Sequence, residues 1–409
     1  MKTRALTLIL VILLGLSGCG NLAIGIETTP TPDAAATATA ATLAAQNAEL
    51  RQTVTALQPT PTPDPAATAG LALVYEQDGK IYRGGFDGGG AQPVATLPPA
   101  AQDILYAGGY FAARSSLKLS GNRLAYGAGG TIGVIDLDTG AHTALYAPPV
   151  SGFLGSGGHD VLWSGDGAAL AYAITYANNR AETPNGWTTE VGVIDLASGR
   201  QRVVASADAP GRGFALISYD AAAKRLWLTP LGGDPSLSEL VAYDLGDPAA
   251  EPRRYPIRGE GEPAGSAGFL AVSAPHDFAT RAAATLVYDL GAPEAEPRVI
   301  EHPSATYGSN YLWHGDRLAF LLGHGVSWQE TTGVAEGVFG WDPAGGEAVE
   351  LAPAALPGDM PLAWSPDGAW LASVQAAGGE FTDHWAARAG GEPLELQVAA
   401  TAHVLGWTE

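Results

Sequence analysis

Two stretches decide the fold: "WSPDGAWLASV" at Trp364–Val374 and "WSGDGAALAYAI" at Trp163–Ile174. In each, a Trp ends an apolar run, a Ser-x-Asp-Gly turn follows, and an alternating apolar run leaves the turn. Pro366 at the second turn position, and Gly368 where a positive φ is wanted, suit a tight hairpin. The same two-strand phrase written twice, far apart in the chain, predicts a repeated antiparallel unit.

Working outward, a third-strand signature recurs. It reads "KIYRGGFDGGG" at 80, "IGVIDLDTG" at 132, "VGVIDLASG" at 191 and "ELVAYDLGD" at 239. It returns as "ATLVYDLGA" at 284, "GVFGWDPAGG" at 337 and "DHWAARAGG" at 383. A spacing of about fifty residues is that of propeller blades. The pattern is loose at 256–283, where the first strand of a blade is hard to find. The chain ends with "HVLGWTE" (403–409), a first strand followed by nothing, and the repeats begin with "LALVYE" (71–76), a second strand preceded by nothing. Joined, they complete one blade and leave few free sheet edges. The expectation is an all-β, seven-bladed β-propeller of four-stranded antiparallel blades over 71–409, with the Trp residues packing each blade on its neighbour. Six or eight blades stay open.

Composition agrees. The 409 residues include 54 Gly and 29 Pro, and 46% are hydrophobic, a mixture suited to short strands and turns. A formal charge of −21 repels a nucleic-acid backbone or an anionic lipid surface, so nucleic acid is not an expected partner. The start, "MKTRALTLILVILLGLSGCG", has Lys2 and Arg4 ahead of an apolar core too short for a membrane span, and reads as a secretory signal over 1–18. Residues 19–70 form a Thr/Pro/Ala-rich tether in which "TPTPD" occurs at 29–33 and 60–64. Inside it, 33–58 lacks Pro and Gly and spaces Leu43, Leu50 and Leu57 by heptads. That segment reads as a solvated spacer or a short coiled coil, with self-association through 40–57 as the consequence of the second reading.

Two resemblances follow from these residues. Leu16-Ser17-Gly18-Cys19 resembles the lipobox of bacterial lipoproteins, which implies cleavage before Cys19, lipidation of its sulfur, and an extracytoplasmic protein anchored to a cell-envelope membrane. Cys19 is the single cysteine, so no internal disulfide forms. The "WSPDGAWLASV" run resembles the WD40-like repeat of TolB-type propellers, whose members serve mostly as interaction scaffolds or as lids beside a catalytic domain. This chain has a tether where TolB carries an α/β domain.

In a four-stranded meander the 1–2 and 3–4 turns share one face of the disc, and the 2–3 loops and blade connections share the other. The long stretches at 98–118, 147–160, 175–190, 230–238 and 322–337 all fall on the second face. Tyr176, Arg180 and Trp187 in one loop, and His324, Trp328 and Glu330 in another, are the candidate contacts for a protein or glycan partner, since Trp, Tyr and Arg dominate interfaces. Phe111, Arg114 and His159 are further candidates there. No Gly-x-Ser-x-Gly, His-Glu-x-x-His or Cys pair occurs, so no catalytic or metal residue is assigned. Asp136, Asp138, Asp195, Asp244 and Asp289 recur at third-strand ends and read as turn residues, with Ca²⁺ as the alternative and no other cofactor expected. The leading expectation is a non-enzymatic lipoprotein scaffold. The rivals are a glycan-active propeller hydrolase or lyase with carboxylates at the channel mouth, and a solute-binding sensor.

Overall fold

The computed structural model describes residue 68 and residues 70–102, 116–128, 130–147, 160–177, 187–208, 213–231, 236–247, 249–266, 268–274, 284–302, 306–324, 334–343, 348–353, 360–377, 380–388 and 393–409. These belong to one compact unit, which spans Pro59–Glu409. The signal segment 1–18, Cys19 and the 33–58 segment lie outside the described residues.

The strands run as follows. The first group is β1 (Ala72–Gln77), β2 (Lys80–Gly84) and β3 (Gln92–Thr96). The second is β4 (Leu117–Ser120), β5 (Arg123–Ala128), β6 (Thr131–Asp136) and β7 (His142–Tyr146). The third is β8 (Asp160–Trp163), β9 (Ala169–Ala177), β10 (Trp187–Asp195) and β11 (Gln201–Asp208). Then come β12 (Gly213–Asp220), β13 (Arg225–Leu231), β14 (Ser236–Asp244), β15 (Arg253–Gly265), β16 (Phe269–Ser273), β17 (Ala284–Asp289) and β18 (Arg298–Glu301). The last are β19 (Thr306–His314), β20 (Arg317–His324), β21 (Val334–Trp341), β22 (Ala348–Pro353), β23 (Met360–Trp364), β24 (Leu371–Ala377), β25 (Glu380–Ala387), β26 (Leu394–Glu395) and β27 (His403–Thr408).

Five sheets are four-stranded antiparallel meanders: β27-β1-β2-β3, β4 to β7, β8 to β11, β19 to β22 and β23 to β26. The strands β12 to β18 form one seven-stranded sheet. The expected seven separate four-stranded blades are therefore corrected to five. The cause is β15. Its first part pairs with β14 as far as Glu260, and its last part, Glu260–Gly265, pairs with β16. One strand thus closes one meander and opens the next, which is why no separate first strand could be read at 256–283. It passes so close to β12 that a Cβ at Gly265 would sit 2.0 Å from the Ile217 carbonyl oxygen, a gap only glycine fits.

The innermost strands form a closed circuit: β27 lies against β4, β4 against β8, β8 against β12, β12 against β15, β15 against β19, β19 against β23, and β23 against β27. Closure is by the termini, as expected. Leu73 pairs with Trp407 and Glu76 with His403. The apolar side chains form layers between neighbouring sheets. Val74 and Ile81 pack with Leu124, Tyr126 and Ile135, and Ala271 and Val287 pack with Tyr311, Leu318 and Phe320. Second and third strands have a sheet on each side, so β5 and β6 are buried along nearly their whole length, while β7 at the rim is mostly exposed.

Candidate functional site

The repeated phrase has one physical role in both copies. Ser164 Oγ donates to Asp166 Oδ1 at 2.6 Å and accepts from the Ala169 N–H at 2.9 Å, while Asp166 accepts from the Ala168 N–H at 3.0 Å. Ser365 and Asp367 repeat this with the N–H groups of Trp370 and Ala369, at 2.9 and 3.0 Å. Gly167 and Gly368 take φ values of 64° and 65°. Each preceding Trp straps its strand to the sheet before it. Trp163 Nε1 donates to Lys118 O at 2.8 Å, Trp313 to Ala264 O at 2.9 Å and Trp364 to Leu312 O at 3.2 Å. The acceptor in all three cases lies on an innermost strand.

The third-strand aspartates make turns. Asp136 Oδ1 accepts from the Thr139 N–H and hydroxyl, each at 2.8 Å, and Asp195 does the same with Ser198 at 2.8 and 2.6 Å. Asp244 accepts from Gly246 N and Asp289 from Gly291 N, both at 2.7 Å. The hydroxyl and amide donors hold Asp136 and Asp195 below the usual carboxylate range. Asp138 instead pairs with Arg83 at 2.9 Å, across two sheets. These residues finish one face of the ring as short, internally bonded turns.

The strand ends on the opposite face are those that flank 97–116, 147–159, 178–186, 274–283 and 325–333. The segment 230–238 does not belong in that group, because β13 and β14 use most of it, and 274–283 was missed in its place. Arg180, Trp328, Glu330, Phe111, Arg114 and His159 lie outside the described residues. Trp187 opens β10 opposite Ala177, and His324 closes β20 opposite Thr306 and Val334, so their backbones stand at the base of two of these connections. Tyr176 is corrected from a loop residue to a buried strand residue, because the β9–β10 ladder runs on to Trp187.

Tyr176 belongs to a polar cluster that sequence reasoning did not find. Glu190, 8% exposed, accepts from the Tyr172 hydroxyl at 2.9 Å and from the Tyr176 hydroxyl at 3.3 Å. The Tyr146 ring, from the adjacent sheet, lies 5.0 Å from that of Tyr172. Burial, then the nearby carboxylate, pushes the Tyr172 and Tyr146 hydroxyls well above the ordinary tyrosine range. The carboxylate is therefore held by neutral donors. The only trace in the sequence is a lone Glu just ahead of the apolar run of β10.

The circuit of inner strands encloses a channel cavity of about 390 Å³. Its lining residues include Lys118, Asp160, Asn310 and His314. Among the described lining residues Asp160 is the one carboxylate. Asn310 takes φ 53° at a bulge of β19.

No protein-family profile matches the chain, and no curated protein matches it. Solved structures do. A prolyl endopeptidase structure aligns with a TM-score of 0.52 and 16% identity, covering 91% of this chain and 56% of that one. An oligogalacturonate lyase in complex with manganese aligns at 0.51 and 10% identity, over 76% of this chain and 82% of that one. The fold is a β-propeller. TolB from Acinetobacter baumannii aligns at 0.41 with 14% identity over 84% of each chain. This propeller spans little more than half the length of the peptidase. These identities speak for the fold alone.

Proposed function

We propose that this chain is a membrane-anchored, extracytoplasmic lipoprotein whose propeller is a non-catalytic scaffold, docking a protein or glycan on its loop-rich face. One observation carries the reading: the strand ends assign the five longest connections, 97–116, 147–159, 178–186, 274–283 and 325–333, to a single side of the ring, while the other side carries Asp- and Ser-bonded turns. A rigid ring with one elaborated face presents loops at little ordering cost. Lipidation at Cys19 and the 19–70 tether would hold that face away from the membrane. Self-association through 40–57 would multiply the contacts.

The test is crosslinking in the native envelope with a paired control. A loop-face variant (Arg180→Ala, Trp187→Ala, Trp328→Ala, Glu330→Ala) is compared with a turn-face variant (Asp138→Asn, Asp289→Asn). Loss of the crosslinked partner only in the first is expected. Equal yields from the two would end the face assignment. Radiolabelled fatty acid should enter the wild-type chain and not Cys19→Ala, and labelling of both would end the anchor assignment.

A further inference from the structure

The seam that closes the ring carries a group of buried ionisable side chains. Glu76 on β1 is 2% exposed, and both of its oxygens are occupied: Oε1 accepts from the Gly79 N–H at 2.6 Å and Oε2 lies 2.7 Å from His403 Nδ1. Glu76 and His403 are direct partners in the β1–β27 ladder, so this contact bridges the two strands whose pairing completes the circle. A third group comes from the neighbouring sheet. His384 on β25 is 1% exposed, and burial followed by the charge of His403 pulls its pKa down to about 4. Three strands thus bring one carboxylate and two imidazoles together, with Glu76 and His384 buried and His403 partly exposed.

The other charged side chains on the packed strands are few. β2 supplies Lys80 and Arg83, the latter committed to Leu137 O and Asp138. β4 supplies Lys118, β25 Glu380 and the exposed Asp383, β26 the exposed Glu395, and β23 none. Buried charge of this kind is stable only while its pairing is kept.

We propose that this seam is an acid-operated latch: a proton forced onto the buried His384, beside the Glu76–His403 contact, releases β27 from β1 and opens the ring at that one joint, with the other sheets still folded. Glu76 holds His403 across the ladder, and at neutral pH His384 stays uncharged. In acid, a cation is forced onto His384 in this buried site. Neighbouring sheets are joined by chain running directly between them, as β18 is to β19, but within the closing sheet β27 and β1 come from distant parts of the sequence. Between β27 and β1 only ladder bonds and packing resist separation. A ring opened there exposes the β1 edge and the layer around Trp407, Phe86 and Trp370.

Hydrogen exchange of the full-length chain, read by mass spectrometry at pH 7, 5.5 and 4.5 after correction for intrinsic rates, tests the latch. Peptides covering β1 and β27 should lose protection by tenfold or more at a pH where β9 and β10 remain protected. Glu76→Gln should give that faster exchange of β27 already at pH 7. His384→Leu should shift the loss to lower pH. If His384→Leu fails to fold, an Ala72→Cys/Thr408→Cys disulfide across the paired ends should keep β27 protected at pH 4.5. Simultaneous loss of protection in all sheets, or an unchanged β27 profile in Glu76→Gln, would overturn the proposal.

Discussion

Replacing Gly192 by Ala tests how the second and third strands are fitted together. A Cβ at Gly192 would stand 2.3 Å from the Tyr172 hydroxyl oxygen and 2.4 Å from Cζ. Tyr172 is fully buried and bonded to Glu190, so the ring cannot give way without dragging its hydroxyl off the carboxylate. Overpacking of a filled core costs about 1–3 kcal/mol. Losing a hydrogen bond to a charged acceptor adds about 1.5–3 kcal/mol. The expected destabilisation is roughly 3–6 kcal/mol, a large share of the roughly 5–15 kcal/mol that holds a domain folded. Two internal controls sharpen the reading. Gly133→Ala meets Tyr126 at 2.4 Å in the same repeat position, where the hydroxyl meets no carboxylate among the described residues, and should cost only the overpacking. Gly165→Ala meets nothing within 4 Å and should be close to neutral. Urea unfolding followed by Trp fluorescence gives all three. If Gly192→Ala matches Gly165→Ala, the packing argument is wrong. If it matches Gly133→Ala, the bond to Glu190 contributes nothing.

Three further outcomes are expected. His302 and His384 are buried with pKa values of about 4, below the unfolded value of 6.5. The unfolded chain therefore binds protons that the folded chain refuses, and stability falls as pH drops from 6.5 to 4, by about 3 kcal/mol for each group. Urea midpoints that stay flat across that window would contradict it, and His302→Leu should remove about half of the slope. Trp364→Phe keeps the ring but deletes the bond to Leu312 O, and should cost about 1 kcal/mol in thermal unfolding. Tyr176→Phe takes one donor from Glu190 and should lower stability by about 1.5–3 kcal/mol, measured by the same denaturation. No change would show that the 3.3 Å contact is incidental.

The repeat was legible because the side chains that carry it are local. Trp163, Trp313 and Trp364 each precede a turn, and the strap they make depends on that position alone. All seven third-strand phrases lie on strands for the same reason: the apolar run and its Asp-turn are adjacent in sequence. β15 was illegible. "RRYPIRGEGEPAG" holds two Pro and alternating charge, which reads as loop, yet each half needs a ladder on one side only, a setting that tolerates both. Tyr176 was misplaced because "TTE" before Val191 is polar and looks like loop. In the structure Thr188, Thr189 and Glu190 are buried, with Thr175 and Thr189 bonded at 2.9 Å across the ladder. The Glu76, His403 and His384 group joins residues more than three hundred positions apart, and only ring closure brings them together.

The continuous strand β15 also bears on how such a ring could change by whole units. At each other junction between sheets a repeat could be duplicated or excised by cutting connecting chain, leaving both neighbours with their full complement of strands. Between β12 and β18 no such cut exists. Removing either meander would strip a partner from the one retained, so that stretch must be inherited, or lost, as a single double-width piece.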